Sequence, residues 1–440
     1  MLKIRKHIYW YFKLYFCMKK LIIKLFEYIP CSDWIFNKYL LFKGRQRKVC
    51  LGSKNADKTF YVIGWNDEGG GLFWIVNKVC MHIAYALDHG YIPVVDLKNY
   101  ITQYSLKNES KNVWEIFFKQ PAGYGLEDIK NSKNVIINRM TPAPSKKYLM
   151  GQTEFYDNPE RIAYFRNIFK TFIHPNNKML DYIRSKEKQL FKDKERVLGI
   201  LCRGTDYVVA KPKNHPIQPE VKEIIKDAKE VMKEKQCNYV FVATEDKDIL
   251  DALKAEFGNK LLFLDQRRYS SKDMQSDQLL AQIKAKDKER NPIKDALDYY
   301  AAIYLLTRCC CFIGGRTGGT KGVLLMNNGF EYKKTATKQE EPKNNESENN
   351  TPFGAYFVPS SDENEQKGTA SASESKNTKK CVKCGEEINK NAPFCNKCGA
   401  QQPFTASNQS VQNEPFIPSV NTGYENSDLK IDGESAEGLQ

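Results

Sequence analysis

No stretch of this 440-residue chain approaches the roughly 20 consecutive apolar residues that a bilayer-spanning helix requires, which excludes a helical membrane span. No secretory leader is evident in residues 1–30, where lysines interrupt the apolar runs. No internal repeat is visible, so nothing points to a solenoid or a propeller. Neither a helix-turn-helix nor an RNP signature is present. A Walker loop is missing as well. After the last glycines of the 314–320 loop, Lys321 comes one position late, and Gly322 stands where a Ser or Thr belongs.

What the chain does have is 41% hydrophobic residues, enough for real cores, and length for two or three domains. Its net charge of +15 is unevenly spread. Residues 332–440 carry 12 Lys/Arg against 16 Asp/Glu, so the first 331 residues hold about +19. A basic body fits a nucleic acid, an anionic membrane surface or a phosphorylated small molecule. Of the 13 cysteines, four sit in one tail motif and the rest are scattered, including Cys309-Cys310-Cys311. Adjacent cysteines in an apolar run read as small buried residues, not as a disulfide frame. A reducing cytoplasm is the expected compartment.

Residues 1–45 form a basic aromatic segment. Lys6, Lys13, Lys20 and Glu27 recur every seventh residue, with Lys24 nearby. On a helix they make a narrow polar stripe opposite a broad apolar face, which suits a helix lying in an anionic membrane interface. A helix packed on the protein's own body is the alternative. The first reading predicts a peripheral contact through residues 1–30 at the inner face of the plasma membrane.

From residue 57 the texture changes. Residues 59–64 read as a buried strand, 65–71 as a glycine-rich turn, 72–87 as a helix and 91–96 as a strand, the parallel βαβ signature. A strand at 135–138 and mostly helical sequence over 159–191 follow. A second unit begins near 195. It has strands at 197–202, 239–243, 261–264 and 309–313, helices at 219–235, 248–257 and 294–307, and a closing helix from Lys321. The fold class is α/β: two Rossmann-like domains, 57–190 and 195–334, facing a cleft. Residues 335–380 are rich in Lys, Glu, Asn and Ser and predict a disordered linker, with an apolar island at 353–358. Residues 401–440 predict a second disordered tail.

The sharpest metal signal is Cys381-x-x-Cys384 and Cys395-x-x-Cys398, with ten residues between the two knuckles. Four thiolates satisfy tetrahedral zinc with no open position, so a structural zinc ribbon is expected over 381–400. Elsewhere, the apolar run 198–202 ends in Arg203-Gly204-Thr205-Asp206, before a loop rich in Lys and Pro. Ligands of α/β domains bind where strands end. Arg offers a fork of donors, Gly admits close approach of the backbone and Thr adds a donor, which suits a diphosphate; an ordinary Arg–Asp ion pair is the alternative. Asp246 ends another strand and would orient a sugar hydroxyl, cap the following helix, or both. The loop Gly314-Gly315-Arg316-Thr317-Gly318-Gly319-Thr320 exposes backbone N–H groups before a helix and forms a plausible anion cradle. The turn holding Asn66, Gly70 and Gly71 follows the same logic and could approach phosphate or acceptor.

These motifs resemble those of fucosyltransferases of the α-1,6 and protein-O type, and more closely the bacterial surface-polysaccharide glycosyltransferases of that superfamily. The family carries His-x-Arg-Arg-Thr-Asp, a Thr-Asp-Asp strand end and a Ser-rich loop. Here they correspond to Leu201 through Asp206, to Ala243-Thr244-Glu245-Asp246 and to residues 314–320. The resemblance covers residues 57–330, weakly in the first half. It implies a GT-B fold, an NDP-sugar donor, usually GDP-fucose, and inverting catalysis without a catalytic metal. The first domain would hold the acceptor and the second the donor. Arg203 would clamp the donor's β-phosphate, and Asp246 with the 316–320 loop would complete the site. Two positions depart: the family's leading His is Leu201 and its second Arg is Gly204. His215, Asp206 and Glu220 lie on or near the loop that would supply the base, and His215 has a suitable unperturbed pKa.

Three functions are thus open. The first is a glycosyltransferase building a surface glycan or polysaccharide. The second is a nucleic-acid-binding zinc-ribbon protein, disfavoured because the ribbon sits in an acidic tail. The third is a nucleotide-binding module that has lost turnover, motivated by Leu201 and Gly204. The ribbon would recruit a protein partner.

Overall fold

The computed structural model describes residues 46–105, 111–139, 146–151, 154–205, 218–273, 280–327, 329–336 and, in the C-terminal ribbon, 378–402 apart from 391, 393, 396 and 399. The segment 1–45, Asp206, His215, nearly all of the 335–380 linker and the tail from 403 lie outside the described residues.

The first sheet has the strand order β1-β4-β2-β3, built from β1 (Gln46–Val49), β2 (Lys54–Ile63), β3 (Ile92–Val95) and β4 (Ser132–Asn138). β2 runs parallel to β3 and to β4, and β1 adds antiparallel to β4. Helix α1 (Leu72–Asp88) makes the crossover from β2 to β3. It is apolar nearly all round, and 14 of its residues are buried, as expected of a helix enclosed on several sides. Helices α2 (Pro159–Phe172) and α3 (Asn177–Phe191) follow the sheet. The Asn158 and Asn176 side chains cap them by accepting from Arg161 N and Met179 N, and Pro159 occupies the first turn of α2, where no N–H is needed.

The second sheet is all parallel. Its strands are β5 (Val197–Cys202), β6 (Tyr239–Thr244), β7 (Leu261–Phe263), β8 (Cys311–Gly315) and β9 (Tyr332–Ala336), in the order β7-β6-β5-β8-β9. The connecting helices are α4 (Val221–Glu234), α5 (Lys247–Phe257), α6 (Leu280–Lys286), α7 (Pro292–Leu306) and α8 (Gly318–Met326). The chain builds outward from β5 to β7 and then returns to the other side of β5. The order therefore reverses between β5 and β8, the crevice where doubly wound sheets bind ligands. Alternate β5 side chains face opposite cores. Leu198, Ile200 and Cys202 join one cluster, and Val197 and Leu201 the other, as the two-residue period of a strand requires.

That second cluster is shared. A single apolar core runs from Tyr61 through α1, α2 and α3 to α7 and α8, joining the helices of both sheets. Phe73 of α1 lies stacked on Tyr300 at 5.4 Å and edge-on to Tyr299 at 5.5 Å. A Cβ on Gly322 of α8 would fall 2.3 Å from the Phe73 ring, so only glycine lets these helices meet so closely. The Arg166 guanidinium of α2 donates to Leu324 O at 2.9 and 3.0 Å.

The α/β class and both parallel units match the sequence reading. Four elements differ from it. The edge strands β1 and β9 and the short helix α6 are additional, and α8 begins at Gly318 instead of Lys321, so Gly318, Gly319 and Thr320 form its first turn. The ribbon, with its small hairpin of β10 (Thr378–Lys380) and β11 (Glu387–Asn389), rests on the body. Asn389 Nδ2 donates to Asp88 O at 3.0 Å, and Phe394 meets Phe172 edge-on at 5.6 Å.

Candidate active site and metal centre

Register places the predicted donor residues together. Leu201 pairs with Gly314 on one side of β5, and Cys202 pairs with Thr244 on the other. Arg203, Glu245 and Arg316 therefore leave the C-terminal ends of three neighbouring strands, on both sides of the β5/β8 crevice.

Around Arg203 the organising group is Glu245. Its Oε1 accepts from Gly204 N at 3.1 Å and Thr205 Oγ1 at 3.2 Å, and lies 3.2 Å from Arg203 Nη1. Asp246 is fully buried. Its Oδ2 accepts from Thr205 N at 2.8 Å, and its Oδ1 caps α5 by accepting from Ile249 N at 3.1 Å. The helix-cap reading of Asp246 thus holds, and the same carboxylate fixes the 203–205 turn. Thr205 is itself buried and takes φ +50°, a left-handed conformation that a non-glycine residue adopts at some cost. Gly204 is wedged against Asp246: a Cβ there would come within 2.3 Å of Oδ2.

The 314–320 segment is closely packed: Arg316, Thr317 and Gly318 are half-buried and Gly319 and Thr320 buried. Thr317 caps α8 by accepting from Thr320 N, and Tyr156 OH donates to Thr317 O at 2.7 Å. Asn77 Nδ2 of α1 donates to Gly318 O at 3.1 Å. A Cβ on Gly319 would meet Tyr299 Oη at 2.7 Å. Arg316 pairs with Asp157 at 2.6 Å and lies over the Tyr156 ring. Lys321, immediately after the predicted cradle, is buried and donates to Met150 O at 2.8 Å. Burial, with the nearby Lys78 charge, pushes its pKa down to about 7.

The Asn66–Gly71 turn is held by its own neighbours. Asn66 Oδ1 accepts from Ile101 N at 2.9 Å. Asp67 accepts from Gly70 N at 2.6 Å and from the Trp74 indole at 2.7 Å. Gly71 caps α1, and a Cβ there would meet nothing within 4 Å, leaving that face open. Gln103 Nε2 donates to Gly70 O at 2.7 Å, and Arg290 donates to Gln103 Oε1 at 2.7 Å and Asp295 Oδ2 at 2.7 Å. Arg290 thus ties this turn to α7 of the second unit.

Sequence reasoning missed two cations here. One is Arg290. The other is Lys284 of α6, whose pKa is lowered by burial and then by the Arg203 charge, against the opposing pull of Asp295 and Glu245. The same helix brings Ala281 near Gly69, within 3.8 Å of where a Cβ would stand. No local motif marks Lys284 or Arg290. Glu220, the described member of the candidate base set, forms a capping box with Glu223 at the start of α4. A cavity of about 170 Å³ lies apart from Arg203, past the end of β3, lined by residues that include Asn99, Tyr100 and Lys111.

In the ribbon the four sulfurs of Cys381, Cys384, Cys395 and Cys398 lie within 4.8 Å of one another. Cys381 Sγ is 3.5 Å from Cys398 Sγ, and Cys384 Sγ is 3.6 Å from Cys395 Sγ. The N–H groups of Lys383 and Lys397 point at Cys381 and Cys395 sulfurs, each at 3.4 Å. Four converging thiols with N–H support fit tetrahedral zinc.

Comparison with known proteins agrees with this part: residues 380–402 match the zinc-ribbon domain family. No curated protein matches the chain. Among solved structures it is similar to the fucosyltransferase NodZ from Bradyrhizobium, with 14% identity and a TM-score of 0.34, over 60% of this chain and 92% of that one. It is also similar to NodZ α-1,6-fucosyltransferase co-crystallized with GDP, with 13% identity and a TM-score of 0.36, over 61% and 93%. A third is the apo form of POFUT1, with 10% identity and a TM-score of 0.38, over 64% and 99%. Among the described residues, no helix is long and apolar enough to cross a membrane.

Proposed function

We propose that the chain is a glycosyltransferase that takes a sugar from a nucleoside-diphosphate donor. The observation that supports this most is the placement of Arg203 and the 316–320 segment after β5 and β8, the two strands that flank the reversal of sheet order. A diphosphate in that crevice would meet a guanidinium on one side and a helix start on the other. Lys284 would add a second cation, compensating for the glycine at position 204. The transfer would be a single inverting displacement without a catalytic metal. A base takes the acceptor hydroxyl proton while Arg203 and backbone N–H groups stabilise the departing diphosphate. Asp206 and His215 remain the proposed bases. Asn66, Gly71 and their turn would face the acceptor or the phosphates. Fucose carried on GDP is the first donor to try, and a surface glycan the proposed acceptor. Residues 1–30 would hold the protein at an anionic membrane surface, and the ribbon would recruit a protein partner.

The test is a panel of NDP-sugars with purified full-length protein and no added metal, read by thermal shift and nucleotide release. One donor should raise the melting temperature and be slowly hydrolysed. Binding without any release, even with glycan acceptors, would favour a nucleotide-binding module, and no binding would refute the proposal.

A further inference from the structure

At the opposite end of the second sheet, where its strands begin, three cysteines converge. Cys237 precedes β6, and Cys310 and Cys311 stand at the head of β8. Cys237 Sγ is 3.7 Å from Cys310 Sγ and 3.9 Å from Cys311 Sγ, and the last two sulfurs are 3.8 Å apart. We propose that these thiols form a second metal site, a three-thiolate centre for one soft monovalent cation, copper(I) being the cation that fits.

The geometry carries the argument. In a nearly equilateral triangle of those sides, the point equidistant from the three sulfurs lies about 2.2 Å from each, close to a metal–thiolate bond of about 2.3 Å. Among the described residues, no His or carboxylate joins the cluster. Zinc would lack its fourth ligand there, whereas soft thiolate sets select copper(I). Two ion pairs stand at the rim, Arg196 with Glu331 and Lys235 with Glu234, each at 2.7 Å. Arg196 is near enough to Cys237 and Cys310, and Lys235 to Cys311, for their charges to interact. Glu331 pairs with Arg196 at 2.7 Å and donates its backbone N–H to Cys310 O, closing the site on one side. Cys311 is fully buried and Cys237 nearly so, while Cys310 is half-buried and gives entry. On binding, three S–H bonds break, three copper–sulfur bonds form and three protons leave to solvent, with no electron transferred. The resulting net charge of −2 stands beside the Arg196–Glu331 and Lys235–Glu234 ion pairs.

The zinc-loaded full chain would be titrated anaerobically with copper(I) supplied as its bicinchoninate complex, and copper and zinc counted after desalting. One copper per chain with zinc retained is expected. Cys310→Ala, the substitution least able to disturb packing, and Cys237→Ser should each weaken copper binding by at least about tenfold, the scale on which even outer-shell partners act. Their zinc content and circular dichroism should be unchanged. No copper uptake would overturn the proposal. So would uptake that expels zinc and is indifferent to both substitutions, or a Cys237–Cys310 disulfide in anaerobically purified protein.

Discussion

Gly204 and Asp246 occupy one another's space: a methyl group on residue 204 would sit 2.3 Å from an oxygen that also accepts from Thr205 N. Asp246 is buried and committed to two backbone N–H groups, so it has little room to yield. Gly204→Ala is therefore expected to destabilise the fold by about 1–3 kcal/mol, the usual cost of overpacking. It should also loosen the turn that carries Arg203. Urea unfolding checks the first effect, and a melting curve as stable as wild type would show that the contact relaxes freely.

Arg203 is partly exposed and its pairing with Glu245 leaves the fold supported by β5 itself. Arg203→Ala should remain folded while losing about 10²–10³ in turnover, the cost of deleting one donor to developing charge. Near-normal turnover with the best donor would remove Arg203 from the reaction.

Lys321 gives a pH signature. Its folded pKa is depressed to about 7 from an ordinary 10.5, so between those values the unfolded chain holds a proton that the folded chain does not. Stability should rise as pH climbs through that window and sit at its floor below about 7. Lys321→Met removes the buried charge and should be more stable than wild type by over about 1 kcal/mol at pH 6. The advantage should shrink by pH 9.5. Equal advantage at both pH values would mean that the ammonium is solvated.

The ribbon's docking is a fourth handle. Chelating zinc, or replacing Cys384 and Cys395 with serine, should unfold the ribbon and release Phe394 from Phe172. The body loses one aromatic edge and the Asn389–Asp88 hydrogen bond, so its melting temperature should fall by only a few degrees, about 1 kcal/mol or less. Collapse of the whole chain would show that the ribbon is integral to the core.

Much of this was legible beforehand because apolar periodicity is local. The helix from Leu72 and the strand at Val197 were plain for that reason. The edge strands were not: Gln46-Arg47-Lys48-Val49 and Tyr332-Lys333-Lys334-Thr335-Ala336 are polar and gain strand structure from a neighbour's hydrogen bonds. The early start of α8 was hidden by two glycines, which are poor helix formers, although Thr317 is a good cap. The 203–205 and 245–246 motifs were visible as residue types, but which oxygen each N–H would choose depends on strand register. Lys284 and Arg290 were invisible for the same reason, since only tertiary folding delivers them. Cys237 likewise joins Cys310 and Cys311 across 73 residues of chain.

The glycine at 322 that receives the Phe73 ring has a thermodynamic corollary. Separating the two sheets' helices would strip Phe73 of its aromatic partners and expose the core face of α1 together with that of α8. Each half keeps a smaller cluster of its own, but the largest core is shared, so a state with one half folded and the other melted carries a large exposed apolar surface. Residues 46–336 should consequently unfold in calorimetry as one cooperative transition, with equal calorimetric and van't Hoff enthalpies, although they hold two separate sheets.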